Sequence, residues 1–412
     1  MRIAIFTDAY LPEINGVTTS IELFRAELLR LGHEVYIVAP NYNRNQEEGT
    51  WVIRFPSIPY FFPQMRERRF VFPSFRKLFK LGKLGIDIIH SQVPGNMGVY
   101  ALWASRWFRI PHIHTYHTLY MQYTHYMNLP TAFSTRAVRW ISQHFLGRCQ
   151  RAVAPSRQIR DELHSYGVDC PIDVIPTGIE PQDRSTLKSA TEVKRRFSIP
   201  EEAPLLCYVG RIGREKNIGF LLEMFARLRR RLPSARFVIV GDGPERQRLM
   251  RKAYDLGLGE TVRFAGYIPR YLVFSVCRAA DLFVFASKTE TQGLVILEAM
   301  SVGTPVVAVD AMGVSDLQAD GRGGFLSPPQ VSVFTDRVEQ MLTDRELREE
   351  KAREAEAKAD EWSMRNMTKK LVASYQASIA DYRQHGLPRY RRRPWVPIPV
   401  APLADQPSEL EA

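Results

Sequence analysis

At 412 residues, 45% of them hydrophobic and 24% charged, the chain is too long for one ordinary core and too apolar for wholesale disorder, so two domains fit. Its formal net charge of +12 points to an anionic partner: nucleic acid, an acidic membrane surface or a phosphorylated substrate. The cysteines Cys149, Cys170, Cys207 and Cys277 have no short paired spacing, which argues against a zinc knuckle or a disulfide framework and fits a reducing cytoplasm.

The first apolar run, Arg2–Thr7, reads as a buried strand, and its break at Asp8 and Pro12 sets it apart from a signal peptide. No apolar run approaches the roughly 18 residues that cross a bilayer. Next comes YLPEINGV, where Gly16 lets the backbone approach a ligand at a helix N-terminus; an ordinary turn is the alternative. There is no G-x-G-x-x-G here, which weakens a dinucleotide-dehydrogenase reading. Thr18–Leu31 carries apolar residues at helical spacing, and Glu34–Ala39, Asp87–His90, His112–Thr115 and Ala152–Pro155 continue a strand series. Such βαβ alternation predicts a parallel sheet covered by helices on both faces.

Between these strands, Tyr60–Gly85 interleaves Phe72, Phe75 and Phe79 with Arg66, Arg68, Arg69, Arg76, Lys77, Lys80 and Lys83, opposed only by Glu67. Aromatics that insert and cations that meet lipid headgroups suit an anionic membrane surface; ordinary half-buried helices are the alternative. Basic residues among aromatics also suit single-stranded nucleic acid, but no recognised nucleic-acid module accompanies them, and nucleic acid is not expected as a partner. The stretch His112–Tyr126 holds four histidines without an intervening Asp, Glu or Cys, so a metal site is not expected. His112 and His114 read as packed strand residues, whereas His117 lies beyond the strand end. Tyr116, Tyr120 and Tyr123 then recur near helical spacing, as a core-facing stripe or as an acceptor wall.

The pattern restarts near Leu205 with the strand candidates LLCYVGR, RFVIVGDG, TVRFAGY, ADLFVFAS and PVVAV. The expected organisation is an N-terminal domain over 1–180, a linker over 181–195 and a C-terminal domain over 196–362. A helical segment over 363–385, returning to the first domain, and a disordered proline-rich tail over 386–412 complete it. In GRIGREKN, Arg211 and Lys216 can both reach a phosphate, Arg as a fork of donors and Lys as a point charge. In ETQGLVILEAM, Glu290 lies in a loop and Glu298 inside a helix. The helix start, Gly293, Leu294 and Val295, presents unpaired N–H groups between them.

Taken in order, FTDAYLPEINGV, GR-x4-K at Gly210–Lys216, GDGPE at Gly241–Glu245 and E-x7-E at Glu290–Glu298 resemble the retaining family-4 glycosyltransferases across roughly residues 1 to 380. The resemblance implies the GT-B fold, two Rossmann-like doubly wound parallel-sheet domains facing across a cleft, with no cofactor or metal required. It places Gly16 beside the donor phosphates and Arg211 and Lys216 on the leaving diphosphate. Glu290 and His117 would meet the transferred sugar, Glu298 the ribose, and Gly241, Gly243 and Ile268 the nucleotide.

More narrowly, HTYHTLYMQYTHY and ETQGLVILEAM resemble the diacylglycerol glycosyltransferases. That resemblance implies transfer of a hexose, glucose from UDP-glucose, to diacylglycerol at the inner face of the cell membrane. GDP-mannose or UDP-glucuronate as donor, and phosphatidylinositol or a soluble glycan as acceptor, stay open, and nothing bears on oligomeric state.

Overall fold

The protein is described by a computed structural model covering residues 1–13, 15–42, 49–59, 69–117, 131–180, 182–290 and 292–388. Arg66, Arg68, Tyr120, Tyr123 and all of the tail beyond residue 388 lie outside the described residues. In the first half the strands are β1 (Arg2–Phe6), β2 (Glu34–Pro40), β3 (Val52–Phe55), β4 (Ser57–Pro59), β5 (Arg69–Val71), β6 (Ile88–Ser91), β7 (His112–Thr115), β8 (Arg151–Ala154) and β9 (Ile172–Val174). Seven of them form a parallel sheet in the order β3-β2-β1-β6-β7-β8-β9, and β4 pairs antiparallel with β5 outside it.

The second half contains β10 (Leu205–Val209), β11 (Arg236–Val240), β12 (Val262–Gly266), β13 (Leu282–Phe285), β14 (Val306–Val309) and β15 (Gly324–Ser327). They form a second parallel sheet, β12-β11-β10-β13-β14-β15. Both sheets are doubly wound, and their strands are continuous apolar runs because helices cover both faces. Ile3 to Phe6, Leu282 to Phe285 and Val306 to Val309 are all buried.

The chain passes between the halves twice. Inside the stretch read as a linker, Ser189 and Glu192 form a reciprocal capping box that starts a helix, Ala190–Arg196, whose Val193 packs into the second core. At the other end, Trp362 and Ser363 separate a helix over Arg345–Glu361 from the last one, Met364–His385. Met364 N–H donates to Ile179 O (2.8 Å) and Ile179 N–H to Trp362 O (3.1 Å), so the chain crosses back beside its own first crossing. A Cβ on Gly178 would sit 2.6 Å from Met364 Cα, which allows only glycine at that contact. The last helix then packs Met367, Leu371 and Tyr375 into the first core with Ile3, Ile5 and Ile21.

Candidate active site

In doubly wound sheets, ligands bind beyond the strand C-termini. Past β10, Lys216 ends a short 3-10 turn and directs Nζ to Glu290 Oε2 at 2.7 Å, with both side chains about a fifth exposed (21% and 19%). The other Glu290 oxygen accepts from Gly293 N–H at 3.4 Å, while the Glu290 carbonyl accepts from Gly313 N–H at 2.9 Å. Gly293 has φ 71° and ψ 35° at the N-cap of the helix Leu294–Ser301, a left-handed conformation that favours glycine. No side chain of the N-cap residue takes the first-turn N–H groups of Leu294 and Val295. A cation, a carboxylate and a helix N-terminus thus converge at one point, suited to an anion bearing a hydroxylated group. Arg211 pairs instead with Glu215 at 3.5 Å and is largely exposed.

The loops after β10, β11 and β12 interlace. Gly210 N–H donates to Val240 O (3.0 Å), Ile212 N–H to Asp242 O (2.9 Å) and Gly241 N–H to Gly266 O (2.9 Å). A Cβ on Gly241, at φ 129°, would sit 1.9 Å from Gly210 O, and one on Gly243 would sit 2.4 Å from Ile212 O. These two glycines are therefore dictated first by backbone packing. Ile268 is buried next to an exposed Tyr267. Glu298 is largely buried and its carboxyl is pushed up by that burial, opposed by Arg270, whose Nη2 lies 2.9 Å from Oε1. Arg270 escaped the sequence reading because only the fold brings it to Glu298.

On the N-terminal side, Asn15 Oδ1 caps the helix Gly16–Arg30 by accepting from Thr18 N–H at 3.0 Å. Its amide donates to Glu13 Oε1 (2.8 Å), and Tyr42 OH donates to Glu13 Oε2 (3.0 Å), which fixes the turn. A Cβ on Gly16 would meet no described residue within 4 Å, so none of them demands glycine there and the space beside it can admit a ligand.

His117 stands two residues past β7, its Nε2 2.6 Å from Oε1 of Gln92, the residue after β6. Burial lowers its pKa to about 4, so the ring is neutral at pH 7. Beneath it, His90 Nδ1 meets Tyr375 OH and its Nε2 meets Thr115 Oγ1, each at 2.7 Å. Ser91 Oγ contacts both His112 Nε2 and His114 Nδ1 at 2.7 Å, so these two histidines are interior sheet residues sharing one hydroxyl. Gln292, beside Glu290, reaches the other half: its Oε1 accepts from Thr177 N–H at 3.1 Å, and it lines one cavity with His117.

Two expectations for the acceptor side change. Tyr116 is a core residue, 1% exposed, with its OH 3.1 Å from Ser142 Oγ, because it follows β7 directly and its backbone N–H pairs with Val153 O. Arg69 is no free surface cation: as the first residue of β5 it donates to Ser57 Oγ (2.7 Å) and Ser57 O (3.0 Å) across the β4–β5 pair.

The remaining basic aromatic residues form a surface. In the helix Phe75–Gly82, Leu78 and Leu81 turn inward while Phe75 and Phe79 stay exposed, with Arg76, Lys80 and Lys83 exposed and Lys77 half-buried. Beside them the helix Asn96–Phe108 exposes Trp103 and Trp107, and the Trp107 ring lies 6.1 Å from that of Phe75 and 5.8 Å from that of Phe79. Phe72 adds a further exposed ring. The two tryptophans, four residues apart, were a sequence signal left unread. No helix among the described residues is long and apolar enough to cross a membrane.

Residues 14–183 match the family model described as Glycosyltransferase Family 4, and residues 189–358 match that described as Glycosyl transferases group 1. The alpha-monoglucosyldiacylglycerol synthase of Streptococcus pneumoniae is 36% identical over 79% of this chain and 75% of its own. The chain belongs to glycosyltransferase family 4. A second relative of this glycosyltransferase, the GDP-mannose-dependent alpha-mannosyltransferase of Mycolicibacterium smegmatis, is 30% identical over 79% of this chain and 84% of its own. Among solved structures, Anabaena HepE in complex with UDP superposes with a TM-score of 0.71 at 18% identity, covering 92% of this chain and all of that one. The glycosyltransferase therefore has the GT-B fold.

Proposed function

We propose that this glycosyltransferase transfers a hexose, glucose from UDP-glucose, to the hydroxyl of diacylglycerol at the inner face of the cell membrane, with retention of anomeric configuration. The observation that carries the reading is the Lys216–Glu290 pair at the start of the helix Leu294–Ser301. As the sugar leaves, negative charge grows on the diphosphate and the anomeric carbon becomes oxocarbenium-like. Lys216 and the N–H groups of Leu294 and Val295 meet the growing charge, and preorganised donors of this kind supply much of the rate enhancement in such sites. Arg211 joins them by leaving Glu215, and the open space at Gly16 admits the phosphates.

Glu290 and His117 hold the sugar. Glu298 receives the ribose, and Gly241, Gly243 and Ile268 form the nucleotide's border. A lipid acceptor is supported by the exposed Phe75, Phe79, Trp103 and Trp107 with their flanking cations, and by the name of the relative in S. pneumoniae.

Transfer from UDP-glucose to vesicles holding diacylglycerol tests the reading when run beside Glu290→Gln and His117→Ala. Glycolipid formed by the parent chain and lost in both variants, with circular dichroism unchanged, is the expected result. Turnover near the parent level in either variant would sink the site.

A further inference from the structure

Gln92 has no part in the reading above, yet it holds the ring at its centre. We propose that Gln92 is a positioning residue that fixes His117 with its proton on Nε2 and its lone pair on Nδ1, so that the ring accepts a hydrogen bond from a hydroxyl of the transferred sugar. The proposal rests on the glycosyl-transfer reading for the sugar, while the state of the ring is argued from Gln92 presenting its carbonyl oxygen to Nε2.

A carbonyl oxygen can only accept a hydrogen bond. Gln92 Oε1 lies 2.6 Å from His117 Nε2, so Nε2 carries a proton. A neutral imidazole has one N–H, which leaves Nδ1 as an acceptor. The ring is kept neutral because, among the described residues of its cavity, nothing favours an imidazolium. Besides Gln92, the polar residues sharing its cavity are His90, Thr115, Thr177, Gln292, Tyr375 and Ser20, and among the described residues no Asp, Glu, Lys or Arg lines it. His90 is itself held neutral by burial, its two nitrogens engaged by Tyr375 and Thr115.

Both ends of the Gln92–His117 bond are anchored to the sheet. Gln92 N–H donates to Phe6 O at 3.0 Å on β1, and Tyr116 N–H donates to Val153 O at 2.9 Å on β8, one residue before His117. Gln92 is itself 5% exposed, so its amide is confined. Among the described residues no protein group takes Nδ1, which leaves it to a ligand. The choice of an amide matters. A carboxylate at this position would draw a second proton onto the ring and turn Nδ1 from acceptor into donor.

The test reads the ring directly, by long-range 15N–1H NMR of the histidine rings in the full-length protein at pH 7, with His117→Asn to identify the signals. The expected spectrum is the neutral tautomer protonated on Nε2. The variant Gln92→Leu removes the acceptor, and its His117 should then populate the Nδ1–H form. Turnover of a nucleotide sugar should fall about tenfold or more in that variant while UDP affinity stays within about twofold, because the diphosphate side is untouched.

A parent His117 protonated on Nδ1, or on both nitrogens, overturns the proposal; if Gln92→Leu fails to fold, the parent spectrum alone decides. An unchanged tautomer or unchanged turnover in Gln92→Leu overturns it as well. A chain that turns over no nucleotide sugar refutes the function proposed above, and the parent and variant spectra then still decide the role of Gln92.

Discussion

Replacing Glu290 with Gln is expected to abolish transfer and, at the same time, to tighten binding of UDP. Without ligand, the Lys216 ammonium lies 2.7 Å from the Glu290 carboxylate in a mostly buried setting. A hydrogen bond between charged groups contributes on the order of 1.5–3 kcal/mol. An incoming diphosphate has to share the cation with that carboxylate and meets a like charge beside it. Gln keeps an oxygen for Gly293 N–H, which now bonds Oε1 at 3.4 Å, and removes only the charge. If about half of the pair's strength passes to the diphosphate, UDP binds about four- to twelvefold more tightly, since about 1.4 kcal/mol is a factor of ten. Isothermal titration calorimetry with UDP measures this, and Lys216→Met, which removes the cation, should weaken UDP in the same assay. Equal or weaker UDP binding by a folded Glu290→Gln protein would refute the claim that Glu290 competes for Lys216.

Neutralising Arg76, Lys80 and Lys83 together should weaken binding to anionic vesicles by about a hundredfold, at about 1 kcal/mol per basic residue, and leave binding to neutral vesicles nearly unchanged. Co-sedimentation with the two compositions checks this, and equal losses on both would remove the electrostatic contribution. Trp103→Ala with Trp107→Ala should weaken both, since the rings act through burial rather than charge. Gly241→Ala should destabilise the second domain by about 2–4 kcal/mol, because its Cβ would collide with Gly210 O. An unchanged melting temperature would contradict that contact.

Acid should also destabilise the fold. Burial lowers His90 and His112 to about 3 and His117 to about 4, below their unfolded value near 6.5, so the unfolded chain binds more protons between those limits. Stability is then complete above about pH 6.5 and is lost as pH falls, at about 1.4 kcal/mol per histidine by pH 5.5. Denaturant midpoints that do not differ between pH 7.5 and 5.5 would rule this out.

What the sequence made legible was whatever is written in contiguous residues. The βαβ alternation could be read because strands such as Ile3–Phe6 are unbroken apolar runs bounded by turn residues. Two of the edge strands could not: Ile172–Val174 is only half-buried, and Gly324–Ser327 opens on glycine. The motif residues were visible, but their partners were not. Gln92, Gln292, Arg270 and Tyr375 reach His117, Thr177, Glu298 and His90 across separations of 25 to 285 residues, and no local pattern announces such contacts. Arg69 reads as a surface residue, and Tyr116 stays open between a core stripe and an acceptor wall, for the opposite reason. Their composition suited an exposed surface, while strand pairing and a following buried hydroxyl drew them inward.

The central claim is tested most directly by incubating the purified protein with UDP-glucose, GDP-mannose and UDP-glucuronate in turn. Each incubation contains mixed vesicles with diacylglycerol, and phosphatidylinositol and a soluble glycan stand as rival acceptors. Mass spectrometry and NMR of the lipid extract identify the product. The account predicts an α-linked monoglucosyl-diacylglycerol formed from UDP-glucose. A product on the soluble glycan, or donor hydrolysis with no new lipid, would contradict it.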